Sequence, residues 1–206
     1  MLTVWGRENS TNVKKVLWLL DELGEVYQHI PAGGAYGKND EPRFLSLNPN
    51  GLVPCLQDDD FILWESNAIL RYLAERSGNP VFWGNHAQHR ASADKWMDWT
   101  SGTLALPFRQ VYVSLIRTPE AQRDPTVIAA GMAAFEKAWG VLDAELAKQK
   151  WLSGDQFGLG DIPIGCSAYA WFNLDIERQS HPHVERWYQQ LTLRPAYQKH
   201  VMIALT

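Results

Sequence analysis

The sequence predicts a small α/β domain followed by an all-helical domain. Two observations lead to this fold class. In the first part of the chain, short apolar runs typical of strands alternate with segments of helical periodicity. After Ser77-Gly78-Asn79-Pro80 the strand patterns end and long helical patterns follow. We therefore expect the α/β domain at residues 1–77, a linker at 78–85 and the helical domain at 86–206.

The elements of the α/β domain are predicted in the order β-α-β-α-β-β-α. The run from Leu2 to Trp5 is typical of a short buried strand. Ser10 opens a helix with helically spaced apolar residues, and Gly24 is its expected stop. The other expected elements are a strand over 26–30, a short helix over 42–47, strands over 54–57 and 61–63, and a helix beginning at Glu65 or Ser66. This order gives a parallel strand pair joined by a helix, followed by an antiparallel hairpin.

The second domain is predicted from helical periodicity and capping residues. One long helical pattern runs over 87–116, with Pro107 as an expected kink. Asp124-Pro125 is a typical N-cap followed by proline at the first helical position, and it opens a helix that reaches about residue 150. Further helices are expected from Asp161, Pro182 and Pro195.

Composition argues against several classes of partner. The formal net charge is −4 and no basic run is present, which disfavours nucleic acid. No apolar stretch approaches the roughly 20 residues of a membrane span. The first residues lack the pattern of a signal peptide, and Cys55 and Cys166 form no Cys-x-x-Cys pair. We therefore expect a cytoplasmic protein with two buried free thiols and no membrane partner.

The histidines do not predict a metal site. His86 and His89 stand about one helical turn apart, and His181 and His183 flank a proline. Neither pair has a nearby cysteine or an evident third ligand, which a zinc site would require. We expect no metal.

The most informative pattern combines Val53-Pro54 with Glu65-Ser66. A cis Val53–Pro54 bond would aim the backbone N–H and C=O of Val53 outward, where they could pair with an extended ligand. Glu65 or Ser66 would then begin a helix whose first free N–H groups suit a carboxylate. The pattern indicates a pocket for a peptide-like ligand, although an ordinary turn followed by a capped helix is the alternative.

Together these features resemble the cytosolic glutathione transferases over essentially the whole chain. The resemblance is carried by Val53-Pro54, by Glu65-Ser66, by Asn9-Ser10-Thr11-Asn12 after the first strand and by Asp161. It implies a thioredoxin-like N-terminal domain that binds glutathione and a C-terminal helical domain. It also implies a homodimer that acts in detoxification, with glutathione as co-substrate and no metal.

The resemblance is closest to bacterial members of the serine-type classes, such as theta and phi. In those enzymes a serine at the start of the first helix faces the glutathione sulfur, and the run Lys14-Lys15-Val16 places Ser10 there. A hydroxyl at a helix N-terminus can donate to a thiolate, and the helix dipole favours negative charge. Ser10 could instead be a plain N-cap, and Thr11 or Asn12 could supply the donor.

The resemblance also implies contacts for the rest of glutathione and for an electrophile. Val53 would pair with the cysteinyl backbone and Glu65-Ser66 would receive the γ-glutamyl end. Expected contacts to the glycyl carboxylate are Lys38, Asn39 and Asn50. Expected contacts to the electrophile are Phe108, Arg109, Tyr112, Trp171 and Arg7, although Arg7 could face either substrate. The alternative for the helical-domain residues is that the aromatics are core and Arg109 forms an interhelical ion pair.

Two departures from the family pattern are visible. The family places Ser or Thr three residues before the aspartate of the core helix, whereas Gly158 stands three residues before Asp161. Glycine offers no side-chain acceptor, so we expect a weakened capping device. The chain also has serine rather than cysteine at position 10, which disfavours thiol–disulfide exchange through a mixed disulfide with the enzyme.

The predicted function is that of a glutathione transferase, which binds glutathione as a thiolate and conjugates it to a small electrophile. One alternative is a glutathione-dependent reductase or dehalogenase that uses the same site. Another is a non-catalytic relative that acts as a regulator or a protein-binding module.

Overall fold

The computed structural model describes residues 1–206, which form two compact units. The α/β unit comprises Met1–Trp83 together with Pro195–Ile203, and the helical unit comprises Gly84–Arg194 together with Ala204–Thr206. The change from one unit to the other falls within the predicted linker. The return of residues 195–203 to the first unit differs from the predicted domain ranges.

A four-stranded sheet forms the centre of the α/β unit, in the order β2-β1-β3-β4. Strands β1 and β2 pair in parallel, and the pairs β1–β3 and β3–β4 are antiparallel. The predicted element order is confirmed, with strand limits shifted by at most one residue. The bounds are Leu2–Trp5 for β1, Tyr27–Ile30 for β2, Cys55–Asp58 for β3 and Phe61–Trp64 for β4.

Three helices complete the predicted part of this unit: α1 over Thr11–Leu23, α2 over Pro42–Leu47 and α3 over Ser66–Ser77. Helix α1 packs against α3. Gly24 ends α1 with φ 68°, a left-handed conformation that glycine adopts at little cost. Buried apolar residues on both helices, such as Leu17 and Leu70, explain why the pair is held in place.

The last helix, α9 over Pro195–His200, packs on α1. The rings of Trp18 and Tyr197 meet edge to face with centroids 4.8 Å apart. Lys199 Nζ lies 2.7 Å from Asp21 Oδ2. Helical periodicity predicted this helix but not its neighbour, because the packing partner lies about 180 residues earlier in the chain.

The helical unit contains α4 over Ala87–Trp99, α5 over Ala105–Tyr112, α6 over Pro125–Leu146, α7 over Asp161–Asn173 and α8 over Pro182–Thr192. Wider π-helical turns, Thr100–Leu104 and Val113–Arg117, flank α5. The irregularity expected at Pro107 thus begins before the proline, where the missing proline N–H leaves the preceding turn without a regular bond. None of the helices has the length and apolar character needed to cross a membrane.

Asp161 is the buried polar centre of the helical unit. Its side chain has no exposed surface. Oδ1 accepts from the backbone N–H of Leu152 and from the Trp187 indole, each at 2.8 Å. Oδ2 accepts from the N–H of Ser153 at 3.2 Å and from that of Gly158 at 3.1 Å. Burial raises the pKa of this carboxyl, and the donated hydrogen bonds oppose that rise.

Ser153 compensates for the hydroxyl that Gly158 lacks. Its Oγ accepts from the N–H of Gly160 at 3.0 Å, just before α7. The acceptor expected at position 158 is therefore supplied by Ser153, which lies earlier in the same loop between α6 and α7. The start of α7 thus keeps a side-chain hydroxyl that accepts from a backbone N–H, which corrects the expectation of a weakened cap.

Replacing Asp161 by asparagine should lower the free energy of unfolding by about 2–5 kcal/mol, because the new NH₂ group faces buried N–H donors. Urea titration monitored by tryptophan fluorescence measures the change. Asp155→Asn is the control: Asp155 is exposed in the same loop region, so its loss should cost less than about 0.5 kcal/mol. Equal effects of the two variants would contradict the role assigned to Asp161.

Candidate functional site

Ser10 occupies the N-cap position of α1 but does not act as an ordinary cap. Its backbone is extended, with φ −80° and ψ 122°, and its side chain makes no capping hydrogen bond. Asp124, at the start of α6, shows the usual arrangement and accepts from the N–H groups of Thr126 and Val127. The Ser10 hydroxyl therefore stands at the positive end of a helix without the bond that a plain N-cap would make.

The two alternative donors beside Ser10 are placed differently. Thr11 is the first residue of α1 and is half-buried. Asn12 is exposed, and its Oδ1 accepts the hydroxyl hydrogen of Ser66 at 3.3 Å. Asn12 is thus tied to the start of α3, whereas Ser10 is not.

Val53 and Pro54 are joined by a cis peptide bond, as expected. The N–H and C=O of Val53 take no part in the backbone hydrogen bonds of the sheet or loops. Val53 is half-buried and lies just before β3. Its main chain consequently has one donor and one acceptor available to an extended ligand.

Gly6 allows this turn to approach α1 closely. A Cβ atom at position 6 would lie 2.4 Å from Val13 Cγ2 and 3.2 Å from Val53 Cβ. The N–H of Gly6 bonds to the carbonyl of Ile30 at 2.9 Å, which keeps the residue in line with β2. The end of β1, the start of α1 and the Val53 turn therefore meet at a position where no side chain fits.

Glu65 is the N-cap of α3 and has the left-handed backbone angle φ 73°. This conformation is uncommon for a residue with a side chain and is typical of positions constrained by function. Ser66 follows as the first helical residue and is only 6% exposed. The first N–H groups of α3 lack carbonyl partners within the helix, so they suit an anion.

Lys15 lies behind Ser66 and was not predicted as a site residue. It is 5% exposed, and its Nζ donates to Ser66 Oγ at 3.3 Å. The sequence analysis used Lys15 only to align α1 with the family pattern. A basic residue at this helical position carries no signal of burial, so sequence alone could not single it out.

The loop that carries Lys38 and Asn39 is fastened to the Val53 turn. Lys38 is exposed and has φ 67°. Asn39 Nδ2 donates to the carbonyl of Gly51 at 2.8 Å. The amide of Asn50 donates to Asn48 Oδ1 at 2.9 Å, so the Asn39 and Asn50 amides both serve the loops themselves.

Asn48 is a second residue that the sequence analysis missed. It is 2% exposed, its Nδ2 donates to the carbonyl of Leu52 at 2.7 Å, and its Oδ1 also accepts from the N–H of Asn50. These bonds hold the turn immediately before Val53. The run Asn48-Pro49-Asn50-Gly51 is a recognisable signal for such a side-chain-stabilised turn.

Arg7 lies between β1 and α1 and is half-buried. Its Nη1 donates to Asn9 Oδ1 at 2.7 Å. Its Cδ lies 3.0 Å from the place where a Cβ of Gly34 would stand. The Arg7 side chain is therefore held near the loop that follows β2.

Three expected electrophile contacts share α5 in the helical unit. Phe108 stacks on Tyr112 with ring centroids 5.2 Å apart, and the Tyr112 hydroxyl donates to the carbonyl of Thr206 at 3.2 Å. Arg109 is exposed. Phe108 also contacts Phe135 at 6.0 Å, so this surface continues into the core.

Trp171 differs from the expectation. It is 1% exposed and stacks on Phe135 with centroids 4.2 Å apart. The periodicity of α7 predicted a helix but not the direction of each side chain. Because its ring is enclosed by other aromatics, Trp171 is a packing residue of the helical core rather than a contact surface for a substrate.

Neither thiol belongs to the site. Cys55 and Cys166 are both free and buried, as expected. Burial raises the pKa of the Cys55 thiol to about 11, which leaves it protonated and unreactive at neutral pH.

The histidine pairs are placed differently. His181 Nε2 lies 2.8 Å from Glu136 Oε2. The rings of His86 and His89 are 6.2 Å apart. No group of three or more His, Cys, Asp or Glu side chains has the geometry to hold a metal ion.

Comparison with known proteins assigns both units to domains of the same protein family. Residues 1–75 match the family model "Glutathione S-transferase, N-terminal domain" and residues 94–195 match "Glutathione S-transferase, C-terminal domain". The chain is 50% identical over 208 residues to glutathione S-transferase GstB of Escherichia coli, covering 100% of both chains. It is also 28% identical over 192 residues to the disulfide-bond oxidoreductase YfcG of Escherichia coli, covering 90% of this chain and 87% of that protein.

A solved structure is similarly close. The crystal structure of the theta class glutathione S-transferase from Xanthomonas axonopodis pv. citri with glutathione bound has a TM-score of 0.96 and 49% sequence identity to this chain. The match covers 100% of this chain and 99% of the other. The thioredoxin-like fold and the helical second domain expected from the resemblance are thereby confirmed.

Substituting Gly6 by alanine should lower the free energy of unfolding by roughly 1–3 kcal/mol more than Gly37→Ala, because the new methyl overlaps Val13. Gly37 is a control because it also has a positive φ, 57°, but open space around its Cα. Urea unfolding of both variants measures the difference. Equal losses would show that backbone conformation alone, and not the close approach to α1, governs position 6.

Proposed function

The chain belongs to the glutathione S-transferase family and acts as a glutathione transferase, and we propose that it holds glutathione as a thiolate at Ser10. The observation that carries this proposal is the Ser10 hydroxyl, which sits at the N-terminus of α1 without a capping bond. That hydroxyl is a donor in the position where the helix dipole favours a negative sulfur. No general base is needed if the thiol pKa falls far enough.

The energies involved are sufficient. A free cysteine thiol has a pKa near 8.5. A hydrogen bond to a charged group contributes about 1.5–3 kcal/mol, and one pKa unit corresponds to about 1.36 kcal/mol. One donor therefore lowers the thiol pKa by roughly one to two units, and the helix terminus adds about 0.3–1 kcal/mol. The thiolate then predominates at neutral pH.

We propose that the tripeptide lies along the Val53 turn. The N–H and C=O of Val53 would pair with the cysteinyl backbone, in the manner of an added strand. The γ-glutamyl carboxylate would accept from Ser66 and from the free N–H groups at the start of α3. Glu65, exposed beside Ser66, would receive the γ-glutamyl ammonium.

For the glycyl carboxylate we propose Lys38 as the charged partner, since its ammonium is exposed in the loop after β2. Asn39 and Asn50 would support this end through the loops that their amides fasten. Arg7 remains a proposed contact for either substrate.

On the helical unit, we propose that the electrophile contacts α5 at Phe108 and Arg109, with Tyr112, which is 5% exposed, stacked behind Phe108. Aromatic rings suit an apolar body, and an arginine suits charge that develops in the transition state. The acceptor class expected from this surface is a small apolar molecule with an electron-withdrawing group.

We further propose that the protein is a cytoplasmic homodimer that acts in detoxification. The two free buried thiols are typical of a reducing compartment. An exposed edge strand, β4, carries Phe61 at 48% and Trp64 at 39% exposure, and covering such an edge is a common use of a subunit interface.

The proposed function predicts retention on immobilised glutathione and elution by free glutathione. Eluted protein should then conjugate glutathione to halides or epoxides faster than it reduces hydroperoxides or disulfides, because position 10 is serine and not cysteine. Initial rates across these four electrophile types measure the preference. Disulfide reduction as the dominant activity would favour the reductase alternative, toward which the similarity to the disulfide-bond oxidoreductase points. Retention without turnover would favour a binding module.

Substituting Ser10 by alanine should raise the pKa of bound glutathione by about one to two units and, by lowering the thiolate fraction, lower the rate at neutral pH by roughly 5–50-fold. The pKa is measured from the ultraviolet difference spectrum of the thiolate against pH. Thr11→Val and Asn12→Ala are the matched comparisons and should shift the pKa less. Stability should change little, since the hydroxyl makes no cap. If the thiolate persists in Ser10→Ala and is lost in Asn12→Ala, Asn12 and not Ser10 is the donor to the sulfur.

A further inference from the structure

Two adjacent lysines of α1 are buried to the same extent but have different surroundings. Lys14 and Lys15 are each 5% exposed. Lys14 Nζ donates to the carbonyl of Val201 at 3.2 Å, within the C-terminal segment that packs on α1. Lys15 Nζ donates to Ser66 Oγ at 3.3 Å, at the first turn of α3. One buried cation thus serves the packing of α9, and the other stands against the start of α3.

The contact with Lys15 determines what the Ser66 hydroxyl can do. A serine hydroxyl has one proton to donate and two lone pairs that accept. Lys15 occupies a lone pair, so the proton is directed elsewhere, and in this structure it goes to Asn12 Oδ1 at 3.3 Å. A hydroxyl that accepts from a cation is also a stronger donor, because the two hydrogen bonds polarise each other.

We propose that Lys15 is a positioning residue for the γ-glutamyl carboxylate of glutathione. Its ammonium orients and polarises the Ser66 hydroxyl and attracts the anion that this hydroxyl binds. The inference rests on the proposed function, in which Ser66 receives the γ-glutamyl end. On binding, the Ser66 proton turns from Asn12 to the carboxylate, while the donation from Lys15 is retained.

Distance and burial make this effect substantial. A carboxylate oxygen at about 2.7 Å from Ser66 Oγ lies no farther than about 6 Å from Lys15 Nζ, given the 3.3 Å contact. Buried charges are screened much less by salt than exposed ones.

The test compares Lys15→Met with Lys14→Met in the full-length protein. Both variants remove one buried charge from α1 and keep a side chain of similar length. Lys15→Met should weaken glutathione binding about tenfold, through a higher KM with kcat at saturation changed by less than about twofold. Lys14→Met should leave glutathione affinity within about twofold of the wild type. Calorimetric titration gives the affinity, and thermal unfolding shows whether each variant is folded.

Two glutathione analogues distinguish a charge effect from a general loss of structure. Glutaryl-cysteinyl-glycine keeps the α-carboxylate of the γ-glutamyl end and lacks its amine. γ-Aminobutyryl-cysteinyl-glycine keeps that amine and lacks that carboxylate, and both analogues keep the glycyl carboxylate. Lys15→Met should weaken binding of glutathione and of the glutaryl analogue about equally and leave the γ-aminobutyryl analogue within about twofold. Because this ratio is measured within one variant, partial destabilisation does not change it.

The outcomes separate the two proposals. If wild-type protein does not bind glutathione, the proposed function fails. If wild type binds and Lys15→Met weakens all three ligands equally, or none of them, the role of Lys15 is wrong while the glutathione site stands. Should Lys15→Met not fold, Lys15→Gln keeps a donor without the charge. Lys15→Gln should show the same selective loss of affinity for the two ligands that carry the γ-glutamyl carboxylate. Affinities equal to those of the wild type would overturn the inference.

Discussion

The close approach of α1 to the turn at Val53 is the constraint on which the rest of the site depends. It is possible because Gly6 has no side chain, since a Cβ there would meet Val13 at 2.4 Å. The approach brings the N-terminus of α1 near a backbone segment whose hydrogen-bonding groups are unused. One constraint therefore brings together the two features on which the proposed glutathione site depends, the start of α1 and the main chain of Val53.

Electrostatics at the site come from positioned partial charges and one buried cation. The N-terminal turns of α1 and α3 supply free N–H groups, and Ser10 and Ser66 add hydroxyl donors at the same helix ends. The Ser66 hydroxyl accepts from Lys15 and donates its proton to Asn12. In the proposed function these donors hold the anionic groups of glutathione, including its thiolate.

The helical unit is organised around a different polar centre, the carboxylate of Asp161. Donors from the loop between α6 and α7 and from Trp187 converge on it, and Ser153 supplies the hydroxyl that Gly158 cannot. Local sequence spacing showed that Gly158 lacks a hydroxyl but not that Ser153 replaces it, because Ser153 lies outside the motif. Trp171 shows the same limit: helical periodicity placed it on α7, but only the packing of Phe135 and its neighbours shows that the ring is enclosed.

The sequence by itself determined the order of strands and helices, the cis bond at Val53–Pro54, the N-cap position of Ser10 and the family to which the chain belongs. The element order and the N-cap follow from local rules, namely hydrophobic period, proline and glycine geometry and motif spacing, whereas the cis bond was implied by the resemblance to the family. Only the tertiary structure decided that Ser10 makes no capping bond, that Lys15 and Asn12 share Ser66, and that residues 195–203 pack on α1. The physical reason is that each of these depends on which side chains meet across long sequence separations, and local propensities carry no information about such encounters.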